Sequence, residues 1–291
     1  MPSLKDVKMK IVGVKKTKQI TKAMNMVASA KLRGAQQRIE RFRPYAAKFY
    51  DMLGDLAGKA DSAAHPLLEA REEIKTCGII LTSSDRGLCG SFNVNLINAA
   101  LKLAKRKTAE GKTVKFYCIG KKARDTIQKT DYEVVTGMGD QMNSFDFQLA
   151  NTIGLEVIDH YLAKKLDEVV LIYGEFVSMA KQVPTVLPIL PMVAEAKEEE
   201  TSGVAKEYIY EPAVEGLLAE LLPRFIKVQV YRGLLDTSAS EHAARMAAMD
   251  NATRSCDDIV GVLTLIYNKT RQASITSDLM DIVSGAEALN G

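Results

Sequence analysis

Hydrophobic positions recur along the chain with two different periods, and the change of period divides it. Near the N-terminus Leu4, Val7, Ile11 and Val14 step by 3, 4 and 3 residues. Ile20, Met24 and Val27 step by 4 and 3, and so do Ala35, Ile39 and Phe42. Apolar residues at this spacing line one side of an α-helix and form a seam that packs on another helix. The phase shifts near Lys18 and near Arg33, and Pro44 predicts a kink or local break, since proline lacks the N–H of the helical ladder. Ser3 is placed to cap the first turn, with Asp6 three residues on. The C-terminal part reads the same way. Leu221, Phe225 and Val228 step by 4 and 3, and Cys256, Val260, Leu263, Tyr267 and Thr270 by 4, 3, 4 and 3. Pro212 suits a first helical turn, and Pro223 lies inside the pattern. Helices of roughly 55 and 75 residues would be on the order of 80–110 Å long. Neither fits a compact globule, and neither buries its stripe alone. Antiparallel pairing of the two satisfies both.

Between them the period shortens. Cys77–Thr82 is a short apolar run, Thr113–Ile119 alternates as a strand, Tyr132–Val135 is a short strand and Val169–Tyr173 a buried one. Pro184–Pro191 reads as extended. Ser91–Lys107, Gly120–Lys129 and Asp146–Lys164 read as helices, and Glu195–Gly203 as an exposed acidic turn. Strands alternating with helices predict a largely parallel sheet. The predicted fold class is therefore α/β: a Rossmann-like α/β domain inserted between two long terminal helices that pair as an antiparallel coiled coil. The expected boundaries are residues 1–60 for the first helix, 75–207 for the α/β domain and 208–291 for the second helix.

Composition narrows the function. Of 291 residues, 47% are hydrophobic and 26% charged, which excludes wholesale disorder. There is no Trp, and aromatics are 6%, so stacking platforms for bases or sugars are not the main business. The longest uncharged stretch, Gly87–Leu101, carries Ser91, Asn93, Asn95 and Asn98 and is too short and polar to span a membrane. The start, Met1 to Asp6, has no apolar signal core, so neither a secretory signal nor a transit peptide is expected. Cys77, Cys89, Cys118 and Cys256, with His65, His160 and His242, are scattered; no zinc-ligand spacing is visible, and buried thiols in a reducing compartment are expected. The net charge of +3 hides an asymmetry. Residues 1–50 hold thirteen Lys and Arg against Asp6 and Glu40. A basic arm of this kind faces water, an acidic partner or nucleic acid.

Two strings carry candidate chemistry. Ser83–Asn93, reading SSDRGLCGSFN, follows a strand and opens a helix. Its glycines either let backbone amides approach an anion or build a tight polar turn that packs on the hairpin or a partner. It matches neither dinucleotide fingerprint nor P-loop, and no acidic ribose reader follows about 20 residues on. Asp85 and Cys89 with a distant His lack the spacing of a nucleophilic site. The lysines of residues 5–22 lack the aromatic interleaving of a nucleic-acid face. The second string, Tyr267–Thr276, places Arg271, Gln272, Ser274 and Thr276 near a helix tip. These groups either hydrogen-bond to a surrounding protein surface or face water.

Together these strings resemble the gamma subunit of the F-type ATP synthase. Ile20–Ala28 resembles the family's ITKAMxMVA, Asp85–Gly90 its DRGLCG, and Tyr267–Thr276 followed by Ile282–Ala286 its C-terminal signature. The three lie in the right order and span the chain. Two positions depart: Asp278 stands where the family usually has Glu, and Asn25 where Glu or Lys is common. The cysteine-bearing insertion of chloroplast members is absent.

The resemblance implies a non-catalytic rotor shaft. One copy would turn inside a hexamer of alpha and beta subunits, coupling rotation of a proton-driven membrane ring to ATP synthesis or hydrolysis at the beta-subunit sites. It implies beta-subunit contacts at Met24, Arg271, Gln272 and Thr276, and membrane-ring contacts at Tyr208, Tyr210 and Glu211. It also implies a base of the shaft, beside the epsilon subunit, that includes Asp85 and Arg86. It implies no cofactor, no metal and no nucleic acid, and a peripheral position at the cytoplasmic face of a bacterial inner membrane. Two other readings of the residues stay open. A nucleotide-binding α/β enzyme dimerised by its helices would bind nucleotide alone. A basic coiled-coil adaptor would bind DNA with a steep salt dependence.

Overall fold

The computed structural model describes residues 3–57, 65–69, 71, 73–192 and 214–290. Tyr208, Tyr210, Glu211 and the acidic turn Glu195–Gly203 lie outside the described residues. The chain forms two units: Ser29–Ala244, and Met1–Ala28 together with Arg245–Gly291. Two helices contribute to both, α1 (Leu4–Ala57) and α5 (Val214–Asn290).

The unit Ser29–Ala244 is built on a five-stranded sheet. Its elements are β1 (Thr76–Thr82), α2 (Phe92–Ala109), β2 (Thr113–Ile119), α3 (Lys121–Ile127), β3 (Glu133–Met138), α4 (Phe147–Leu162), β4 (Glu168–Phe176) and β5 (Gln182–Leu190). The strand order is β3-β2-β1-β4-β5; all neighbours are parallel except β4 and β5. The expected largely parallel sheet is therefore present, with one antiparallel edge. Pro184 and Pro188 lie on that edge strand, where a missing N–H blunts further pairing. The sheet is covered on both faces. Cys77, Ile79, Leu81, Phe116 and Ile172 pack under α2 and α3. Ile80, Tyr117, Ile119, Val169 and Leu171 pack under α4, Phe49 of α1 and the α5 residues Leu218–Leu235. Both faces are buried, so β1 and β4 read as continuous apolar runs rather than as alternation.

Pro44 does not end α1, which continues through it to Ala57. The reason is tertiary. On either side of the proline, Phe42 packs edge-on against Tyr231 at 5.0 Å and Phe49 stacks on Phe225 at 6.2 Å. These contacts outweigh one missing backbone hydrogen bond.

The other unit is the antiparallel pair made by the start of α1 and the end of α5. Lys18 forms an ion pair with Asp257, Thr21 faces Thr253 with hydroxyls 2.8 Å apart, and the Asn25 amide donates to the Met246 carbonyl at 2.9 Å. Rising α1 numbers meet falling α5 numbers, which defines the direction. Ser3 caps α1, its Oγ accepting from the Asp6 N–H at 3.2 Å.

Candidate functional site

The seam of the paired helices keeps one heptad phase throughout. On α5 Cys256 is buried, and Val260, Leu263, Tyr267 and Thr270 are half-buried among exposed neighbours. That is the predicted stripe. On α1 the covered positions are Leu4, Val7, Ile11, Val14, Lys18, Thr21, Asn25 and Ala28, with Met24 beside Asn25 and no phase break. The phase shift expected near Lys18 is absent. Ile20 and Val27, read as seam residues, point outward at 60% and 58% exposure, and polar Lys18, Thr21 and Asn25 take the seam. A sequence window rewards the apolar residue at each step; the partner helix rewards the one whose polar groups it can satisfy.

The outer surface of this pair is consequently apolar in places where water would favour polar groups. Met9, Val12, Ile20, Met26 and Val27 on α1 are exposed, as are Ile259, Val262, Leu265 and Ile266 on α5. Lys8, Lys15 and Lys22 recur every seven residues and are exposed too, forming one basic stripe. Beyond the paired stretch every residue of α5 from 271 to 288 is exposed. This tip carries Arg271, Gln272 and Thr276 together with Ile275, Leu279, Met280, Ile282 and Val283. Met24 is half-buried at the level of the Thr21–Thr253 contact. It is not clustered with the tip residues but lies along the same shaft.

The turn after β1 is a self-satisfied polar knot. Asp85, 7% exposed, accepts from three backbone amides: Lys121 and Asp140 on Oδ1, both at 2.9 Å, and Met142 on Oδ2 at 2.8 Å. Ser83 Oγ accepts from the Ala123 N–H at 2.8 Å, and the Ser84 carbonyl from the Lys122 N–H at 3.1 Å. The opening amides of α3 are thus already spent within the chain. Asn93 reaches back to Ser84, accepting from its N–H at 3.1 Å. Gly120 sits at φ +97°, and a Cβ there would lie 2.2 Å from the Ser83 carbonyl oxygen, so only glycine fits. Arg86 and Leu88 face outward. The sequence pairs Asp85 with Arg86 as one feature, whereas the structure divides them: the carboxylate holds three loops together and the guanidinium reaches the surface.

In doubly wound sheets ligands bind at the carboxyl ends of the strands where the order reverses, here between β1 and β4. That position is filled by α5. Thr82 Oγ1 lies 2.9 Å from Thr237 Oγ1, Thr237 accepts from the Gly174 N–H at 3.2 Å, and Ser240 donates to the Gly174 carbonyl at 2.9 Å. Thr82, Thr237 and Ser240 are fully buried. The long helix thus plugs the crevice a nucleotide would need. Sequence reasoning missed this; the signal was the run Thr237–Ser240 of small, mainly polar residues in the middle of a long helical pattern.

A cleft of about 300 Å³ lies elsewhere in this unit, lined by Ile39, Phe42, Arg43, Phe176, Arg232 and Asp236 among others. Burial pushes the Asp236 carboxyl up to about 6; Arg232 and Arg43 oppose the shift and Glu175 adds to it. A raised carboxyl pKa means the folded state favours the proton. Its stabilising effect is full below the unfolded value near 3.9 and is lost as pH rises through about 6. Asp236→Asn should therefore stabilise the unit above pH 7 by on the order of 2 kcal/mol and have little effect at pH 4. Urea unfolding at the two pH values measures this. Among the described residues no group of His, Cys, Asp and Glu could hold a metal ion, and no helix is long and apolar enough to cross a membrane. All four cysteines are buried and none is in a disulfide, and burial pushes the Cys77 and Cys118 thiols up to about 12.

A family model described as ATP synthase matches residues 3–289. A chain from Nitratidesulfovibrio vulgaris Hildenborough, named ATP synthase gamma chain, is 80% identical over the full length of both chains. Relatives of the same name from Maridesulfovibrio salexigens and Lawsonia intracellularis are 72% identical over all of this chain and 59% over 99% of it, and each is itself covered in full. The chain belongs to the ATP synthase gamma-chain family. The gamma subunit is a non-catalytic component of the central stalk, and its complex is associated with a membrane. Solved structures share its fold. A chain from the Euglena gracilis mitochondrial ATP synthase, in a structure titled OSCP/F1/c-ring, has a TM-score of 0.65 at 20% identity, covering 98% of this chain and 94% of its own. One from the Tetrahymena thermophila central stalk/c-ring has 0.61 at 24%, covering 80% and 99%.

Proposed function

We propose that one copy of the chain turns inside a hexamer of alternating alpha and beta subunits, coupling a proton-driven membrane ring to ATP synthesis or hydrolysis at the beta-subunit sites. The observation that carries this is the surface of the paired helices. Their seam is closed, yet an apolar outer face and a tip about 27 Å long remain uncovered. A lone helix of that length is marginal in water, and uncovered apolar surface of this extent marks a binding surface. A ring of protein around the shaft would cover it.

On this reading Met24, Arg271, Gln272 and Thr276 meet the beta subunits, and the lysine stripe meets their acidic loops. Exposed charge pairs are weak individually and remake easily, which suits a surface that must slide. Arg86 and the turn it heads lie at the base beside the epsilon subunit, with Asp85 positioning that turn. Tyr208, Tyr210 and Glu211 meet the membrane ring, holding the chain peripherally at the cytoplasmic face of a bacterial inner membrane. The segments 1–60 and 208–291 act as the shaft, and residues 75–207 as its mount.

The test is reconstitution with alpha and beta subunits, read by size exclusion and ATPase activity. One copy per hexamer is expected; a chain that elutes apart from the other subunits overturns the reading. Arg271→Ala should weaken the complex by about 1.5–3 kcal/mol, the range for a hydrogen bond to a charged group. Turnover and retention equal to the unsubstituted complex would remove Arg271 from the contact set.

A further inference from the structure

The seam between α1 and α5 is apolar at one end and polar in the middle. From Leu4 to Val14 the α1 positions are aliphatic, and they run beside an α5 stripe of Val260, Leu263 and Tyr267. Lys18, Thr21 and Asn25 follow, and each reaches across to the other helix.

The three contacts differ in what they can specify. Lys18 and Asp257 have side chains 37% and 56% exposed, so water replaces either partner readily. The threonine hydroxyls each have a carbonyl on their own helix, Lys18 O at 3.0 Å for Thr21 and Met249 O at 2.8 Å for Thr253. If the helices slid, both would stay satisfied. Asn25 has no such alternative. Its side chain makes one hydrogen bond within the chain, and that bond crosses the seam to the Met246 carbonyl. Aliphatic seams resist separation but are nearly indifferent to a slip of one heptad, because one branched side chain replaces another. A single asparagine at a seam position removes that indifference.

We infer that Asn25 sets the register of α1 on α5, so that torque is transmitted without slip along the seam. The consequence for torque rests on the rotor reading, whereas the register role rests on the seam itself. Asn25 is thereby a positioning residue. A carboxylate at this position could accept but not donate, and would leave the Met246 carbonyl without its second partner.

The experiment uses the full chain, with spin labels at Ala23→Cys and Ser255→Cys, both exposed sites. Distance distributions are compared for the parent chain, Asn25→Leu and Thr21→Val. The same variants, unlabelled, are assembled into the complete synthase, and ions pumped per ATP hydrolysed are measured. Asn25→Leu should fold and assemble, with a shaft melting temperature at or above the parent's. It should show a second population displaced by about 10 Å, one heptad of rise, and at least a threefold fall in ions pumped per ATP. Thr21→Val should keep the parent's single distance and pumping ratio. For Asn25→Leu, an unchanged single distance with an unchanged pumping ratio overturns the inference. So does a fall in pumping that simply tracks a lower melting temperature, since that would be a packing effect. If the parent chain fails to assemble, the rotor reading fails, and the distances on the free chain still decide whether Asn25 sets register.

Discussion

Removing residues 276–291 is expected to leave unfolding of the sheet-bearing unit unchanged and to reduce coupled ATP synthesis several-fold. The deleted stretch includes Leu279, Met280, Ile282 and Val283, which are 52–68% exposed and lie outside the sheet-bearing unit. Full burial of one such side chain stabilises by about 1.5–3 kcal/mol. If a surrounding ring realises even a third of that over four side chains, its loss costs on the order of 2–4 kcal/mol of retention. Urea unfolding of the isolated chain, followed by hydrogen exchange in β1, β2 and β4, measures the first half. ATP synthesis in the reconstituted complex measures the second. Equal synthesis by the truncated and parent complexes would show that the tip does no coupling work.

Asp85→Ala should act in the opposite place. It removes one carboxylate but strands three backbone amides, those of Lys121, Asp140 and Met142. A buried donor left without an acceptor costs about 1–3 kcal/mol, so three cost on the order of 3–9 kcal/mol before water enters. That is a large part of the stability of an ordinary domain. Hydrogen exchange should quicken first at residues 120–142 while the paired helices stay protected. Asp85→Asn should cost less, because a carbonyl oxygen can still accept from Lys121 and Asp140 while the amide nitrogen cannot accept from Met142. Parent-like stability of Asp85→Ala would show that the knot is closed by other groups. The two variants together separate the mount from the shaft: one should unfold a unit and the other uncouple an intact one.

How much of this was legible beforehand varies by residue. The predicted strand Thr113–Ile119 coincides with β2, and the stripe from Cys256 to Thr270 is the α5 seam. Both rest on patterns complete within a few turns of chain. Asp85 was singled out, but its task was not visible, because its three donors lie 36 to 57 residues away. Ile20 and Val27 were placed on the wrong side of α1 because hydrophobicity was the only available guide to which side faces in.

Local patterns along the chain are enough to set the two long helical stripes, the strand–helix alternation between them, and the motifs at both ends and the centre. Those are local periodicities, and backbone geometry turns period into element without outside help. Long-range packing settles which face of α1 is covered, that α1 runs on through Pro44, and that Thr237 and Ser240 fill the crevice of the sheet. Each of those outcomes depends on a partner distant in sequence. A polar group is placed inside when a matching group arrives from elsewhere, and a helix survives a missing hydrogen bond when aromatic side chains on both sides of the gap are held.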